Sequence, residues 1–315
     1  MMQRREDRSM QRISLEPGKH AYTMSKYYSP VATVKPGETF LVETRDGPDG
    51  TITSERDKPS EKLIFDRANP QTGPIYVTGA EPGDTLVVEI LDIQPLSEHA
   101  VTFIVRGFGG LVANSSTCLL NPPLEEKVKL VRIRDGRVHW NEKISFPYRP
   151  FYGCIGTAPK QEAIDCMSPG NHGGNMDCPD CGVGNKVFLP VRIPGAYLFL
   201  GDVMATQGQG ELCGTCGEHP AIGTVKVGLI KGKAIRWPRV ESDTHIMCIG
   251  SAKPMEDAAR IAYYELVQWM AGEYGFDPID AYMLLSHIGE CNVANMVDTL
   301  YSMVARCPKI YLPGH

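Results

Sequence analysis

The sequence predicts a mainly β protein: a sandwich- or barrel-like body with duplicated strand units, followed by a C-terminal helical segment. Three observations lead there. The 32 glycines and 24 prolines are spread over all 315 residues and punctuate short β-branched runs, which is the rhythm of strands and turns rather than of a linker. VKPGETFLVET (34–44) and AEPGDTLVVEI (80–90) are near copies: a Pro-Gly turn, an acid, a threonine, then an apolar strand. Two copies are too few for a solenoid and read as a duplicated β element. Finally, the hydrophobic period changes near residue 255 from two to that of a helix.

In chain order, residues 1–20 read as a flexible N-terminus, because MMQRREDRSM is basic and leads into no apolar run. Residues 21–250 read as the β-rich catalytic body. VKLVRIRDGRVHW supplies alternating strands with Asp135-Gly136 at the hairpin turn. IPGAYLFLGD (193–202) supplies an apolar strand ending at Asp202. Residues 251–315 read as a helical segment packed on that body. From Met255 to Met270, Ala258, Ile261, Ala262, Leu266 and Trp269 recur at helical spacing, with Gly272 near the end. A second helix opens at Asp277-Pro278, an N-cap followed by proline at the first helical position. Met283 is expected in the core with the Met and aromatic residues of the first helix, and His287 at the core or its rim.

Composition narrows the function. The chain is 42% hydrophobic and 22% charged with net charge −5, ordinary for a globular protein with a large core. No Lys/Arg cluster is interleaved with aromatics, which argues against a nucleic-acid surface. Nowhere do eighteen apolar residues run together, which argues against a membrane span, and the expected location is the cytoplasm. The ten cysteines, Cys118 among them, are read as reduced. The pairs Cys178-x-x-Cys181 and Cys213-x-x-Cys216 have zinc-ligand spacing. Such sites usually fasten core-poor modules, so buried or site-lining thiols are the preferred reading.

The chemistry concentrates in two stretches, NHGGNMDC (171–178) and GDVMATQGQGELCGTCGE (201–218). Asn175 and Asp177, two apart, share a side if the segment is extended. Gly173 and Gly174 allow close backbone approach or positive φ. Gln207, Gln209 and Glu211 alternate with glycines and would share one face, and Glu218 follows the Cys-Gly-Thr-Cys turn. Taken singly, Asn-Asp beside Gly is turn chemistry and Gln-Gly-Gln-Gly a loop. Together, His172, Asn175, Asp177, Asp202, Glu211 and Glu218 exceed what a turn requires. Convergent oxygens with one imidazole suit a divalent metal or general acid–base hydrolysis.

These stretches, with NPQTGPIYVTGAEPGDTLVVEILDI, RPFYGCIGTAP, PGAYLFLGDVMATQGQGELCGT and AYMLLSHIGECNV, resemble the acetamidase/formamidase family of amide hydrolases over most of the chain. HGGNMD and GD-x-x-A-x-QG-x-GE are the specific motifs. The resemblance implies a β-rich fold with helices near the C-terminus and hydrolysis of formamide- or acetamide-like substrates to carboxylate and ammonia. It also implies a divalent metal, with zinc or calcium as candidates. Met204 and Gln209 stand where the family motif carries histidine and aspartate.

The expected roles follow from what amide hydrolysis needs: activated water, a stabilised oxyanion and a protonated leaving nitrogen. Asp177 and Glu218 are candidates for the base, and His172 for the proton donor. Asp177, Asp202 and Glu211 are the expected metal ligands; Asn175, Gln207, Met204 and Gly174 the substrate contacts; glycine N–H groups the oxyanion hole. A covalent route through Cys213 ranks lower. The partner is a small amide, and the expected assembly a homo-oligomer, dimer or higher. The rival reading is a catalytically silent ligand-binding or assembly protein on the same fold.

Overall fold

The computed structural model describes residues 10–112 and 124–314; Cys118 lies outside them. Two sheets face each other. One has nine strands, in the spatial order Arg12–Ile13, Thr39–Thr44, Ala221–Ile230, Thr85–Pro95, Lys186–Pro190, Arg239–Glu241, His245–Ala252, Tyr301–Pro308 and Glu290–Asn295. Its ends do not meet, so the body is a sandwich and not a closed barrel. The other has five strands, ordered Gly173–Asn175, Phe151–Thr157, Leu198–Met204, Gln71–Val77 and Ala32–Val34. Phe40, Leu86, Ile90, Val187 and Val225 of the first sheet pack with Ile75, Ile155, Leu198 and Leu200 of the second in one core, the interdigitated layer expected of aligned sheets.

The duplicated units are symmetrical about a shared neighbour. Thr39–Thr44 and Thr85–Pro95 flank Ala221–Ile230 on its two edges. Each is entered by the same turn: Pro at the second position, Gly37 (φ 86°) or Gly83 (φ 95°) at the third. The turn is closed by Glu38 N–H to Lys35 O or Asp84 N–H to Glu81 O, both 3.0 Å, which is the type II pattern. The acid then accepts from the backbone N–H at the turn's start, Lys35 or Glu81, at 2.8 Å in both copies. Asp135 and Gly136 (φ 53° and 69°) likewise turn Lys127–Arg134 into Arg137–His139.

The two helices cover the outer face of the nine-stranded sheet. Met255–Tyr274 buries Ala262, Leu266, Trp269 and Met270 against Ile246, Cys248, Ala305 and Cys307. At Gly250 an added Cβ would lie 2.2 Å from Ala258 O, so only glycine allows this contact. The helix runs through Gly272 and is closed by Gly275 in the left-handed conformation, one turn later than the sequence suggested. Asp277 caps Pro278–Ile288 as expected, accepting from the N–H of Ile279 and Asp280. That helix buries only Ala281 and Leu285. Met283 is therefore 54% exposed and not core, Tyr264 of the first helix is also exposed, and His287 sits on the outer surface. Residues 290–308 return to the sheet as two strands, and among the described residues the first strand is Arg12–Ile13.

Candidate active site

Five carboxylates converge at one end of the sandwich: Asp177, Asp202, Glu211, Glu218 and Asp298, each 0–4% exposed. Asp202 lies inside Leu198–Met204 rather than at its end, with φ 54°. Asp177 follows Gly173–Asn175 with φ 43°, and Glu211 sits on the loop after 204 with φ 49°. With Asn69 at φ 50°, four of the eight non-glycine residues of positive φ among the described residues belong to this site. Such backbone costs on the order of 1 kcal/mol per residue and persists where surrounding structure imposes it, commonly at functional sites.

Two glycines form the floor. A Cβ on Gly153 would lie 2.6 Å from Asp202 Oδ2 and 2.7 Å from Asp177 Oδ1; one on Gly47 would lie 2.9 Å from Glu218 Oε2 and 3.0 Å from Asp202 Oδ1. The carboxylates thus fill the space side chains would need. Amides fix them. Asn175 Nδ2 donates to Asp177 Oδ2 (2.9 Å) and Asp298 Oδ2 (2.7 Å). Asn295 Nδ2 donates to Asp177 Oδ2 (2.5 Å) and to Asp298. Asn69 Nδ2 donates to Asn175 Oδ1 (2.8 Å) and Asp202 Oδ2 (3.2 Å). Asn175 and Asp177 meet as the sequence suggested, through this hydrogen bond and the left-handed turn at Asp177 rather than by strand alternation.

None of the five forms an ion pair with a base among the described residues. Burial raises every one of these carboxyls. At Asp177 the charges of Glu211, Asp298 and Asp202 act in the same direction, and at Glu218 those of Asp202 and Glu211. Glu211 is raised by burial and then by Asp298 and Asp202. Asp202 is pushed up to about 7, chiefly by burial, although its hydrogen bond with Glu218 opposes this. Asp298 reaches about 6, held back by hydrogen bonds from Asp177, Asn175 and Asn295 and by the Lys253 charge. Asp46, behind Gly47, is likewise raised to about 6 by burial and adds its charge to Asp202. Like charges this close cannot all ionise unless a cation joins them.

The donor set fits such a cation. Asp177, Glu211 and Asp298 each offer an oxygen, all within 4.8 Å of one another. Oxygens about 2.4 Å from a shared ion span that separation. Asp177 Oδ1 and Glu218 Oε2 are buried with no hydrogen-bond partner, which ordinary packing would not leave. A cavity of about 40 Å³ opens on the carboxylates, with Asn175, Asp202, Glu211, Glu218 and Asp298 on its polar side and Phe103, Val105, Phe108 and Met204 on its apolar side.

The remaining sequence candidates fall in different places. Met204 lines the cavity, its sulfur 3.4 Å from Cys216 Sγ. Gln207 spends its amide on the carbonyls of Asp177 (2.7 Å) and Ala294 (2.8 Å). Gln209 is exposed and Glu211 buried, so the three alternating residues do not share a face: the loop is not extended. The pocket of Gly174 is filled by Ser168 O and the His172 ring. His172 is buried with neither ring nitrogen partnered. Burial, then Arg192, lowers it to about 4, and the acids bearing on it are Asp165 and Glu162 rather than the cavity carboxylates. Cys178 and Cys181 belong to the main core. Cys213 and Cys216 are half-buried beside the site, and burial raises the Cys216 thiol, away from a reactive thiolate. Sequence reasoning missed Asn69, Asn295, Asp298 and the floor glycines. The one available signal was Asn295-x-x-Asp298 directly after a strand.

An acid-lined cavity buried at one end of a β-sandwich, with carboxyls raised toward neutrality, is the equipment of a hydrolytic enzyme. The chain belongs to the Acetamidase/Formamidase family, which it matches over residues 26–168 and 160–314. It is similar to the crystallised acetamidase of Yersinia enterocolitica, with 43% identity, a TM-score of 0.92, and coverage of 97% of this chain and 93% of that one. It is also similar to a Bacillus halodurans acetamidase, with 34% identity, a TM-score of 0.88, and coverage of 95% and 98%. A Methylophilus methylotrophus formamidase is 27% identical over 257 residues, 64% of this chain and 61% of that protein. The chain spans 60 to 63% of the length of the curated relatives it matches.

Proposed function

We propose that the chain hydrolyses a small carboxamide, RCONH2 + H2O giving RCOO− and NH4+, in the acid-lined cavity. The observation that carries this is the set of five buried carboxylates, two with unpartnered oxygens and none paired with a base among the described residues, four of which (Asp202, Glu211, Glu218 and Asp298) line a cavity of about 40 Å³. One buried water needs roughly 10–15 Å³ on the same measure, so the cavity takes about three or four non-hydrogen atoms, the size of formamide or acetamide. The relatives named formamidase and acetamidase support the same substrate class.

Asp177, Glu211 and Asp298 would hold a divalent cation. Their all-oxygen donor set favours a hard ion such as calcium over zinc. Bound there, such an ion would polarise the amide carbonyl and lower the pKa of water. Asp202 and Glu218, whose carboxyl oxygens both face Gly47, hold one proton between them near neutral pH. The ionised member takes a proton from the attacking water, and the protonated member delivers one to the leaving nitrogen. Asn175, Asn295 and Asn69 orient these acids; Met204 and Phe103 exclude water from the apolar side. His172, neutral at pH 7 and walled off by Gly174, has no part in the proton transfer.

We also propose a cytoplasmic homo-oligomer. The nine described cysteines are all free thiols, as in a reducing compartment, and Ile279, Tyr282 and Met283 present an exposed apolar helix face that a second copy would cover. No helix among the described residues is long and apolar enough to cross a membrane.

The test is ammonia release from formamide, acetamide, propionamide and urea, with Asp202→Asn and Glu218→Gln as controls. Release by the parent and loss in both variants is the expected result. An inactive parent across the panel, with its cation bound, would leave the silent-binding reading in its place.

A further inference from the structure

We propose that Phe108 sets the upper limit of substrate size, as a partition between the acid-lined cavity and a second, apolar chamber. The inference rests on the hydrolytic reading above and names its substrate class: short aliphatic primary amides in the parent, longer ones once the partition is removed. The chamber lies between the hairpin sheet of His99–Ile104 and Lys127–Arg134 and the loop after Met204. It measures about 870 Å³, and Ile104, Val131, Val138, Trp140 and Phe146 line it. Phe108, Glu211 and Thr215 line both spaces.

Of those three, only Phe108 can act as a removable apolar wall. Thr215 is tied to the backbone of Phe103, its Oγ1 donating to the carbonyl at 2.7 Å and accepting from the N–H at 2.9 Å. Glu211 belongs to the acid cluster. The Phe108 ring packs directly against Gly214: a Cβ there would be 2.3 Å from ring Cε1 and 2.5 Å from Cδ1. Its backbone is anchored on both sides, Phe108 N–H to Val105 O at 3.1 Å and Gly110 N–H to Leu212 O at 2.9 Å. The ring is thus a fixed wall. An acyl group longer than that of acetamide, seated with its carbonyl at the carboxylates and its tail toward this wall, would strike the ring. The space behind the ring is apolar and large enough for a hexanoyl chain.

The experiment measures kcat/KM along formamide, acetamide, butyramide and hexanamide for the parent, Phe108→Leu and Phe108→Ala. In the parent the values should fall beyond acetamide. In Phe108→Ala each added methylene should gain about fourfold from burial in the opened chamber, so over the four methylenes that separate acetamide from hexanamide the ratio rises by roughly two-hundredfold over the parent. Phe108→Leu should lie between. If Phe108→Ala does not fold, the leucine variant alone decides. Calorimetric binding of hexanamide gives a readout that needs no turnover: Phe108→Ala should bind it and the parent should not. A parent that cleaves none of the four amides sinks the hydrolytic reading while the calorimetry still judges the partition. Identical chain-length profiles, or identical hexanamide affinities in folded parent and variants, would overturn the role of Phe108.

Discussion

Two of the regions that bury acids balance the charge in opposite ways. On the helix face, Glu265 is 3% exposed, yet Arg236 reaches it at 2.5 Å and Arg239 at 4.0 Å. Arg239 also reaches Glu273 at 3.5 Å and lies 5.0 Å over the Trp269 ring. At the cavity, five equally buried carboxylates have amides for neighbours and no arginine or lysine in contact among the described residues. Amides fix geometry without supplying charge. Where the chain supplies its own countercharge, a buried acid fastens a helix to the sheet. Where it does not, the countercharge has to come from protons or a bound cation, and that dependence marks the functional end of the sandwich.

Asp177→Asn should separate the two regions by the largest margin. Loss of a carboxylate that would hold the cation should lower amide turnover at least about a thousandfold, while the metal-stripped variant melts no lower than the metal-stripped parent because like-charge repulsion is relieved. Turnover assays and calorimetry on one preparation check both. The mirror experiment is Glu265→Gln, which leaves Arg239 without its buried partner. With Arg236 largely exposed, the cost should be about 2 to 3 kcal/mol in a denaturant titration, with turnover and metal content as in the parent.

A pH titration of stability sharpens the contrast. Asp202 and Asp298 have folded values raised to about 7 and about 6, so the ion-free fold binds more protons than the unfolded chain between about pH 4 and 7. Their contribution is fully present below the usual carboxylate range and is lost as pH rises through 6 and 7. His172 and His219, both lowered to about 4 chiefly by burial, act oppositely: their contribution is present above about 6.5 and lost as pH falls toward 4. The histidine contribution is common to metal-loaded and metal-stripped protein and cancels between them. The two melting curves should therefore diverge as pH rises from 5 to 8, with the stripped protein the less stable. Parallel curves would show that no cation balances the acids.

The smallest effect concerns Met204. Histidine there would lack a hydrogen-bond partner against Cys216 and should cost about 1 to 3 kcal/mol without metal. Added zinc or nickel should restore part of that, read as a metal-dependent rise in melting temperature absent from the parent.

Much of this was legible in the sequence, for identifiable reasons. The Pro-Gly-acid turns, the Asp135-Gly136 hairpin and the Asp277 cap are local, and local chemistry decides them. Asp177, Asp202, Glu211 and Glu218 stood out because each sits beside glycine or at an apolar strand. Asp298 and Asn69 did not: about 120 and 110 residues separate them from Asp177, and only sheet pairing brings them to it. Sequence proximity to Asp177 says nothing of the side the His172 ring takes past Gly173 and Gly174. Met283 looked like core because helical periodicity reports an apolar stripe without reporting what covers it.

Elemental analysis of the purified, dialysed protein beside Asp298→Asn decides whether a cation held by Asp177, Glu211 and Asp298 balances the cavity acids. The account predicts at least one divalent ion per chain in the parent, its loss from the variant, and loss of amide turnover with it. Full turnover by parent protein carrying less than one-tenth of an ion per chain after chelation would contradict it.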